Sequence, residues 1–402
     1  MARIEADLEA AARFGAVDGG GVTRVAWSPE LQAAGEWLCD ELRSLGLAAG
    51  IDPAGNVIGR WEEGEGPAVL VGSHLDTVPR GGRYDGALGV LAALDAIRGL
   101  RARGVKPARP IWLVSFMDEE GTRFRTGLLG SRAFCGEDLS GLAERSDADG
   151  VTLREAMARL GFDIDRLADA AAIDRVGAYV ELHIEQGPTL EAAGIDIGVV
   201  TGIVGLLGFR ARFLGESNHA GTTPMAVRRD ALVGASRAVL ALRDEARSRD
   251  DMTANVGIIR AEPGGFNVIP GACELTIDVR SPTPEGFAHV ERYVHETLAR
   301  IAAEERLGLE LVETNRLELL PMDATIQDTI ESAARELGAS TLRMPSGAGH
   351  DGMIVGRHVP AGMLFVPSRA GISHSPAEHT EPRYCELGAR VLERTLEHLS
   401  RG

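Results

Sequence analysis

The stretch VLVGSHLDTVPRGGRYDGALGVLAAL, residues 69–94, decides the fold of this chain. Its branched apolar residues predict a buried strand that delivers His74 and Asp76 at its C-terminal end, where α/β sheets bind ligands. A glycine-rich turn then delivers Asp85 just before a helix. Histidine and carboxylate groups suit zinc, manganese or cobalt, and two such ions need a carboxylate able to bridge them. Because a lone His-x-Asp pair is also common without metal, this interpretation depends on ligands at other strand ends.

The composition is that of an ordinary globular protein. At 402 residues the chain exceeds the roughly 250–300 residues at which a single core stops growing, so we expect two domains. It is 44% hydrophobic and 25% charged, and its acidic amphipathic N-terminus predicts no signal peptide. The net charge of −17 argues against nucleic acid or membrane partners, and four dispersed cysteines fit a reducing compartment. We therefore expect a cytoplasmic protein.

Further ligand-type side chains follow other predicted strands. The apolar run at residues 110–117 ends in three consecutive acids at 118–120, the strand at 178–184 carries His183, and a later loop carries His374. Adjacent acids repel one another unless a positive group lies among them, so one acid can bind a metal while its neighbour holds a proton. A solvated acidic loop is the alternative for 118–120, and a structural histidine is the alternative for His183.

The sequence changes in character near residue 205. Strands then alternate with two long helices, which predicts a compact two-layer α+β sandwich. We place this insert at residues 206–318, within a first domain that is formed by residues 1–205 and 319–402 and carries the candidate metal ligands. The predicted elements of the insert are strands at 206–214, 253–261, 273–280 and 309–319 and helices at 226–247 and 284–305.

Nine motifs in chain order resemble the hydantoinase/carbamoylase family of two-metal amidases: HLDTVP, GGRYDGALG, MDEEGTRF, LHIEQGP, NHAGTTPM, FNVIPG, DVRS, SGAGHDG and ISHSPAEHT. This family includes N-carbamoyl-L-amino acid hydrolases, allantoate amidohydrolases and β-ureidopropionases, within the clan of carboxypeptidase- and aminoacylase-like metallohydrolases. The resemblance implies an α/β fold, with a metallo-exopeptidase-like catalytic domain whose mixed sheet is flanked by helices. It also implies that the α+β insert is a lid and dimerisation domain.

Carried over by position, the resemblance implies two divalent ions per subunit, either zinc, manganese, cobalt or nickel. The implied ligands all lie at ends of separate elements: Asp85 bridging the ions, His74 and His183 completing one site, and Glu120 and His374 completing the other. Asp76 would accept a hydrogen bond from the far ring nitrogen of His74 and so fix its tautomer.

The resemblance also implies the catalytic groups. Glu119 matches the family's general base, which takes a proton from the attacking water and returns it to the leaving amine. His219 resembles the histidine that stabilises the oxyanion, which relatives supply from the neighbouring subunit as the domains close. A homodimer through the insert is therefore implied.

Substrate contacts follow in the same way. Arg280 and Asn267 match the residues that hold the substrate carboxylate, a task suited to a guanidinium fork. Gln186, Gly349 and His350 resemble further substrate contacts. A surface ion pair is the alternative for Arg280, and a structural loop histidine is the alternative for His350.

The implied substrate is a small ureido carboxylate. The implied reaction hydrolyses the carbamoyl C–N bond of an N-carbamoyl-L-amino acid to the amino acid, carbon dioxide and ammonia. Allantoate is the alternative substrate, and no residue decides between the two. A peptidase or aminoacylase is less favoured, because clan peptidases often carry an acid where this chain has His183. A non-catalytic binding protein would lack a ligand or the base, yet every such position is filled.

Overall fold

The computed structural model describes residues 3–401, which divide into two compact units. The first contains the chain up to Thr201, then Pro321–Met344, and again from Ala348 onward; the second contains Gly202–Leu320 and Pro345–Gly347. Among the described residues no helix is long and apolar enough to cross a membrane.

Strands and helices alternate along the described chain. The strands are β1 Ala48–Ile51, β2 Val57–Trp61, β3 Ala68–His74, β4 Ile111–Phe116, β5 Val176–Ile184, β6 Ile197–Ile203, β7 Gly205–Leu214, β8 Asn218–His219, β9 Thr253–Glu262, β10 Val268–Ile269, β11 Ala272–Ser281, β12 Gly308–Leu317, β13 Leu320–Pro321, β14 Thr341–Ser346 and β15 Ala361–Val366. The α-helices are α1 Arg3–Ala12, α2 Pro29–Ser44, α3 Ala87–Ala102, α4 Leu129–Phe134, α5 Leu153–Arg159, α6 Thr189–Ala193, α7 Ala231–Arg247, α8 Pro284–Glu304, α9 Ala324–Glu336, α10 Gly352–Val355 and α11 Pro382–Leu399.

The larger sheet is mixed, in the order β1-β2-β4-β3-β5-β15-β6-β13, with β14 paired to β6. Its central strands β4, β3, β5 and β15 are parallel to their neighbours in this group, whereas β2 and β6 join it antiparallel. Every residue of β3 and β4 is buried, as expected of strands covered on both faces by helices. The parallel strands end at one edge, so the loops that follow them meet there. The predicted α/β class with a mixed sheet is confirmed.

Close approach between β3 and β4 depends on one glycine. A Cβ at Gly72 would lie 1.8 Å from the carbonyl oxygen of Val114. Since no side chain fits there, Gly72 lets the two strands pair directly up to His74 at the end of β3.

The second unit contains an antiparallel sheet in the order β12-β7-β11-β9, and α7 and α8 pack against it. Burial alternates strictly along β11, as expected of a sheet with one face in the core and one open face. The helix predicted from residue 226 begins instead at Ala231. Its N-cap is Asp230, whose carboxylate accepts hydrogen bonds from the amides of Leu232 and Val233, while Met225–Val227 form a separate 3₁₀ turn.

Candidate active site

Two groups of ligand-type side chains that share Asp85 lie at the carboxyl edge of the larger sheet, and a third group, Glu181, His183 and His350, shares His183 with the first of them. In each group the nearest ligand atoms all lie within 4.8 Å of one another: His74, Asp85 and His183 in the first, Asp85, Glu120 and His374 in the second. We call these cluster 1 and cluster 2. Asp85 belongs to both, with Oδ1 3.2 Å from Nε2 of His183 and Oδ2 3.2 Å from Nε2 of His374. The two oxygens of one carboxylate therefore face different clusters.

The two histidines of cluster 1 are held by their Nδ1 atoms. Nδ1 of His183 lies 2.9 Å from the carbonyl oxygen of Ile184, and Nδ1 of His74 lies 3.1 Å from that of Asp76. With an ion bound between these rings and Asp85, a proton on each Nδ1 would leave the Nε2 lone pair for the ion, which is the tautomer that a metal ligand needs. Gly86, at φ 62, allows this arrangement, because a Cβ there would lie 2.3 Å from the His74 ring.

Asp76 connects the end of β3 to the acidic loop after β4. Its carboxylate oxygens accept hydrogen bonds from the backbone amides of Glu119 and Glu120, each at 3.2 Å. The carboxylate lies 3.6 Å from Nδ1 of His74, farther than the Asp76 carbonyl oxygen. Asp76 thus orients His74 chiefly through its main chain and orients the two glutamates through its side chain.

The adjacent glutamates point to different histidines. Oε2 of Glu119 lies 3.7 Å from Nε2 of His74, and Oε2 of Glu120 lies 3.5 Å from Nε2 of His374. Burial, followed by the charge of Glu120, raises the pKa of Glu119 well above its usual value. Burial and the charge of Asp85 raise the pKa of Glu120 to about 8. Such a concentration of buried acids is unfavourable without cations among them.

Bound divalent ions would fit the residues present. Oε1 of Glu120 and Oε1 of Gln186 are buried and accept no hydrogen bond from the described residues. Although burial opposes it, hydrogen bonds with His183 and His374 hold the pKa of Asp85 well below its usual range, so this carboxylate is ionised. The donor set of imidazole nitrogens and carboxylate oxygens matches the preferences of zinc, manganese, cobalt and nickel.

Three residues of this edge have left-handed backbone conformations. Asp118, Gln186 and His374 have φ angles of 59°, 56° and 55°. A non-glycine residue in this region costs about 1–3 kcal/mol when the conformation is strained, and such residues concentrate at functional sites. For Gln186 and His374 the conformation accompanies a side chain that reaches Oδ2 of Asp85, at 2.9 and 3.2 Å. The Asp118 carboxylate instead accepts a hydrogen bond from the hydroxyl of Thr126.

The predicted oxyanion histidine and carboxylate contacts lie in the second unit. Nδ1 of His219 accepts hydrogen bonds from the amides of Gly221 and Thr222 at 3.0 and 3.2 Å, so its Nε2 carries the ring proton and can donate. Asn267 lies beside it, because its carbonyl oxygen accepts from the amide of Ala220 at 3.0 Å and β10 pairs with β8. The His219 side chain is exposed.

Arg280 lies on the open face of the second unit's sheet. Its Nε and Nη2 donate to the two carboxylate oxygens of Asp278 at 2.9 and 3.1 Å, and its Nη1 donates to the carbonyl oxygen of Gly347 at 2.7 Å.

The remaining predicted substrate contacts, His350 and Gly349, belong to the first unit. His350 is buried with its ring centroid 4.5 Å from that of His183, and the space beside the Cα of Gly349 is open.

Sequence reasoning missed two buried acids at this edge. Glu378 accepts hydrogen bonds from the amides of Tyr84 and Asp85, and Glu181 in β5 accepts from the hydroxyls of Ser73 and Tyr179. An acid inside the apolar strand 178–184 was a usable signal for Glu181. The only signal for Glu378 was its place in the ISHSPAEHT motif, since an acid in a loop shows no periodicity.

Known proteins resemble this chain over nearly its whole length. A model described as peptidase family M20/M25/M40 matches residues 70–398. An N-carbamoyl-L-amino acid amidohydrolase of Geobacillus stearothermophilus is 41% identical over 387 residues, 95% of this chain and 94% of that protein. An allantoate amidohydrolase of Bacillus subtilis is 40% identical over 402 residues, 98% of this chain and 96% of that protein.

A solved structure of similar fold is a hydantoinase/carbamoylase family amidase from Burkholderia multivorans. It superposes with a TM-score of 0.92 at 35% identity and covers 100% of this chain and 98% of that one. The resemblance inferred from the nine motifs is confirmed, as is the expectation that the relatives hydrolyse C–N bonds other than peptide bonds. Carbamoylases and allantoate hydrolases match almost equally, so identity favours neither. With this coverage and two clusters suited to metal, the chain belongs to peptidase family M20/M25/M40, alongside amidohydrolases of the hydantoinase/carbamoylase type.

Proposed function

We propose that this protein hydrolyses the carbamoyl C–N bond of an N-carbamoyl-L-amino acid, using two divalent ions held by clusters 1 and 2. The observation that carries the proposal is the position of Asp85, whose two carboxylate oxygens face two separate groups of ligand atoms. Bound ions would polarise the ureido carbonyl and lower the pKa of the attacking water. Allantoate is the second candidate substrate, supported by the relative from Bacillus subtilis.

Glu119 is the proposed general base. It belongs to neither cluster, yet its carboxylate lies beside His74 of cluster 1. A carboxylate beside the proposed ion site can take a proton from the attacking water and return it to the leaving nitrogen. The Nε2 proton of His219 is the proposed donor to the oxygen that becomes negative as water adds.

Arg280 is proposed to hold the substrate carboxylate, together with Asn267. A guanidinium has five N–H donors, and three of those on Arg280 are engaged by Asp278 and Gly347. One N–H remains on each of Nη1 and Nη2, at the outer end of the fork. That pair of donors matches the two oxygens of a carboxylate.

Arg280→Lys is expected to raise KM about tenfold or more with little change in kcat, because a point charge replaces a fork that makes two charge-assisted hydrogen bonds. Arg212→Lys is the matched control, since Arg212 lies on the same sheet and contacts Glu262 instead. Steady-state kinetics on one carbamoyl amino acid measures both variants. An unchanged KM in Arg280→Lys, or an equal rise in the control, would refute the carboxylate clamp.

The proposed reaction is tested by a substrate panel. Metal-stripped protein is reloaded with manganese, cobalt or zinc and assayed for ammonia release from several N-carbamoyl-L-amino acids and from allantoate. N-acetyl-L-methionine is followed by its free amino acid. We expect metal-dependent release from the carbamoyl compounds. Ammonia release from allantoate alone would identify allantoate, the second candidate, as the substrate. Faster cleavage of the acetyl compound would identify the protein as an aminoacylase.

A homodimer through the second unit is also proposed, and the edge strands of its sheet support it. Along β12 the charged residues Glu310, Glu313 and Arg316 protect the edge, whereas residues 253–259 of β9 carry no charge. Ile258 and Ile259 on β9 are each 49% exposed. An uncharged edge with exposed apolar side chains is suited to antiparallel pairing with a second copy about a two-fold axis.

Ile258→Arg is expected to raise the dimer dissociation constant at least about tenfold, because like charges would face each other across the two-fold axis. Val312→Arg is the matched control. It lies in the same cross-strand row on β12 and is 47% exposed. Light scattering over a dilution series measures both variants. A monomeric wild-type protein, or equal weakening by the two variants, would contradict pairing through β9.

The four cysteines support a reducing, cytoplasmic location. All of them are free and buried. Structural disulfides would be expected in an oxidising compartment.

A further inference from the structure

The carboxylate of Glu378 joins two loops that each carry a proposed metal ligand. Its Oε1 accepts hydrogen bonds from the backbone amides of Tyr84 and Asp85, both at 3.0 Å. Its Oε2 lies 3.0 Å from the hydroxyl of Ser373, the residue before His374. Glu378 is 6% exposed, so water competes little for these bonds.

Ser373 extends this connection to the shared ligand itself. Its hydroxyl oxygen lies 3.0 Å from Oδ2 of Asp85 and accepts a hydrogen bond from Nε2 of Gln186 at 3.2 Å. A hydroxyl has one proton, so it can donate to Glu378 or to Asp85 but not to both. When the Ser373 hydroxyl donates to Glu378, its oxygen still accepts from Nε2 of Gln186, which also donates to Oδ2 of Asp85 at 2.9 Å.

The chain leaves room for Glu378 at a specific glycine. A Cβ at Gly82 would lie 1.9 Å from Oε1 of Glu378. Any side chain at position 82 would displace the carboxylate from the amides of Tyr84 and Asp85. The loop before α3 is therefore shaped to receive an acid from a segment about 290 positions away in sequence.

We infer that Glu378 is a positioning residue that fixes Asp85 from two directions, through the backbone amide of Asp85 and through Ser373 and Gln186, and so sets how tightly clusters 1 and 2 hold their ions. This inference rests on the proposed function, because it assumes that Asp85 is a ligand. Glu378 itself contacts no substrate in this scheme. Its effect is on ion retention and on the alignment of Asp85 with His374.

Zinc affinity of the full-length protein tests the inference, measured by competition with a chelator of known affinity and by elemental analysis after gel filtration. Glu378→Ala is expected to weaken binding about 10- to 100-fold, the usual effect of removing a group that orients a ligand. Ser373→Ala is expected to weaken it about tenfold by the same reasoning. Glu378→Gln retains an oxygen for the two amides, so it should lose less affinity than Glu378→Ala.

Asp52→Ala is the matched control, because it also removes a carboxylate that holds a loop through hydrogen bonds to backbone amides. Asp52 also accepts hydrogen bonds from two backbone amides, those of Ala54 and Asn56, and it belongs to neither cluster. Melting temperatures of the metal-free proteins separate stability from ion retention. We expect Asp52→Ala to lose stability but keep wild-type zinc affinity.

Each outcome bears on one of the two proposals. Wild-type affinity in both Glu378→Ala and Ser373→Ala, or an equal loss in Asp52→Ala, would overturn the positioning role and leave the proposed function standing. Failure of the wild-type protein to bind any of zinc, manganese, cobalt and nickel would instead overturn the proposed function. If Glu378→Ala does not fold, Ser373→Ala and Glu378→Gln carry the test, because both make smaller changes.

Discussion

Glu119→Gln is expected to lower kcat by about 10²–10⁴ while the metal content stays that of the wild-type protein. The amide has nearly the shape of the carboxylate, so it can occupy the same space beside His74, but it cannot take a proton from water. Glu119 lies outside both clusters, with its Oε2 3.7 Å from Nε2 of His74. The loss is therefore expected in the chemical step and not in ion binding.

The neighbouring acid gives a control for this prediction. Glu120→Gln changes the adjacent position in the same loop, and Glu120 belongs to cluster 2. We expect Glu120→Gln to lose metal together with activity, whereas Glu119→Gln loses activity alone. Steady-state kinetics and elemental analysis on the same preparations distinguish the two. Substantial turnover by Glu119→Gln would mean that another group is the base.

Asp85→Ala is expected to abolish binding at both clusters and to reduce activity to background. The reason is that one carboxylate supplies an oxygen to each cluster, with contacts of 3.2 Å to His183 on one side and to His374 on the other. Removing it takes one ligand from each of two sites, and ions held by the two remaining groups would dissociate readily.

Single-histidine variants are the comparison for Asp85→Ala. His74 belongs only to cluster 1 and His374 only to cluster 2, so each alanine variant should impair one site and leave the other able to bind. Titration with zinc, followed by elemental analysis, measures the number of ions bound by all three proteins. If Asp85→Ala binds as many ions as either histidine variant, the carboxylate is not shared.

The sequence was most informative where an apolar run stops at a polar residue. The buried strand ending at His74 and the helix after Asp85 are found at Ala68–His74 and Ala87–Ala102, because local burial patterns determine both. Parallel strands then bring their ends to one edge, and dispersed ligand-type residues become neighbours. Helix α7 begins at Ala231 and not at residue 226 as predicted, because the N-cap at Asp230 competes with the helix propensity of residues 226–229.

Contacts between distant loops were beyond the sequence. The hydrogen bond from the amide of Asp85 to Glu378 joins residues 293 positions apart, and no periodicity or spacing in the sequence predicts it. The pairing of Arg280 with Asp278 is local, yet only the structure shows that Gly347 accepts a third hydrogen bond and that one N–H remains on each of Nη1 and Nη2. The set of proposed metal ligands was assigned by matching this sequence to the family motifs. The roles of these residues remain predictions.

If Arg280 holds the substrate carboxylate as proposed, its ion pair with Asp278 affects how small a molecule the protein would recognise. A free arginine side chain has about 2 kcal/mol of rotamer entropy to lose when it is immobilised. Two contacts to Asp278 and one to Gly347 already hold Arg280 in one orientation. An incoming carboxylate then meets a preorganised partner, and the saving corresponds to a factor of about 30 in affinity. Under the proposed role of Arg280, even a compound with a minimal side chain would be recognised by its carboxylate end.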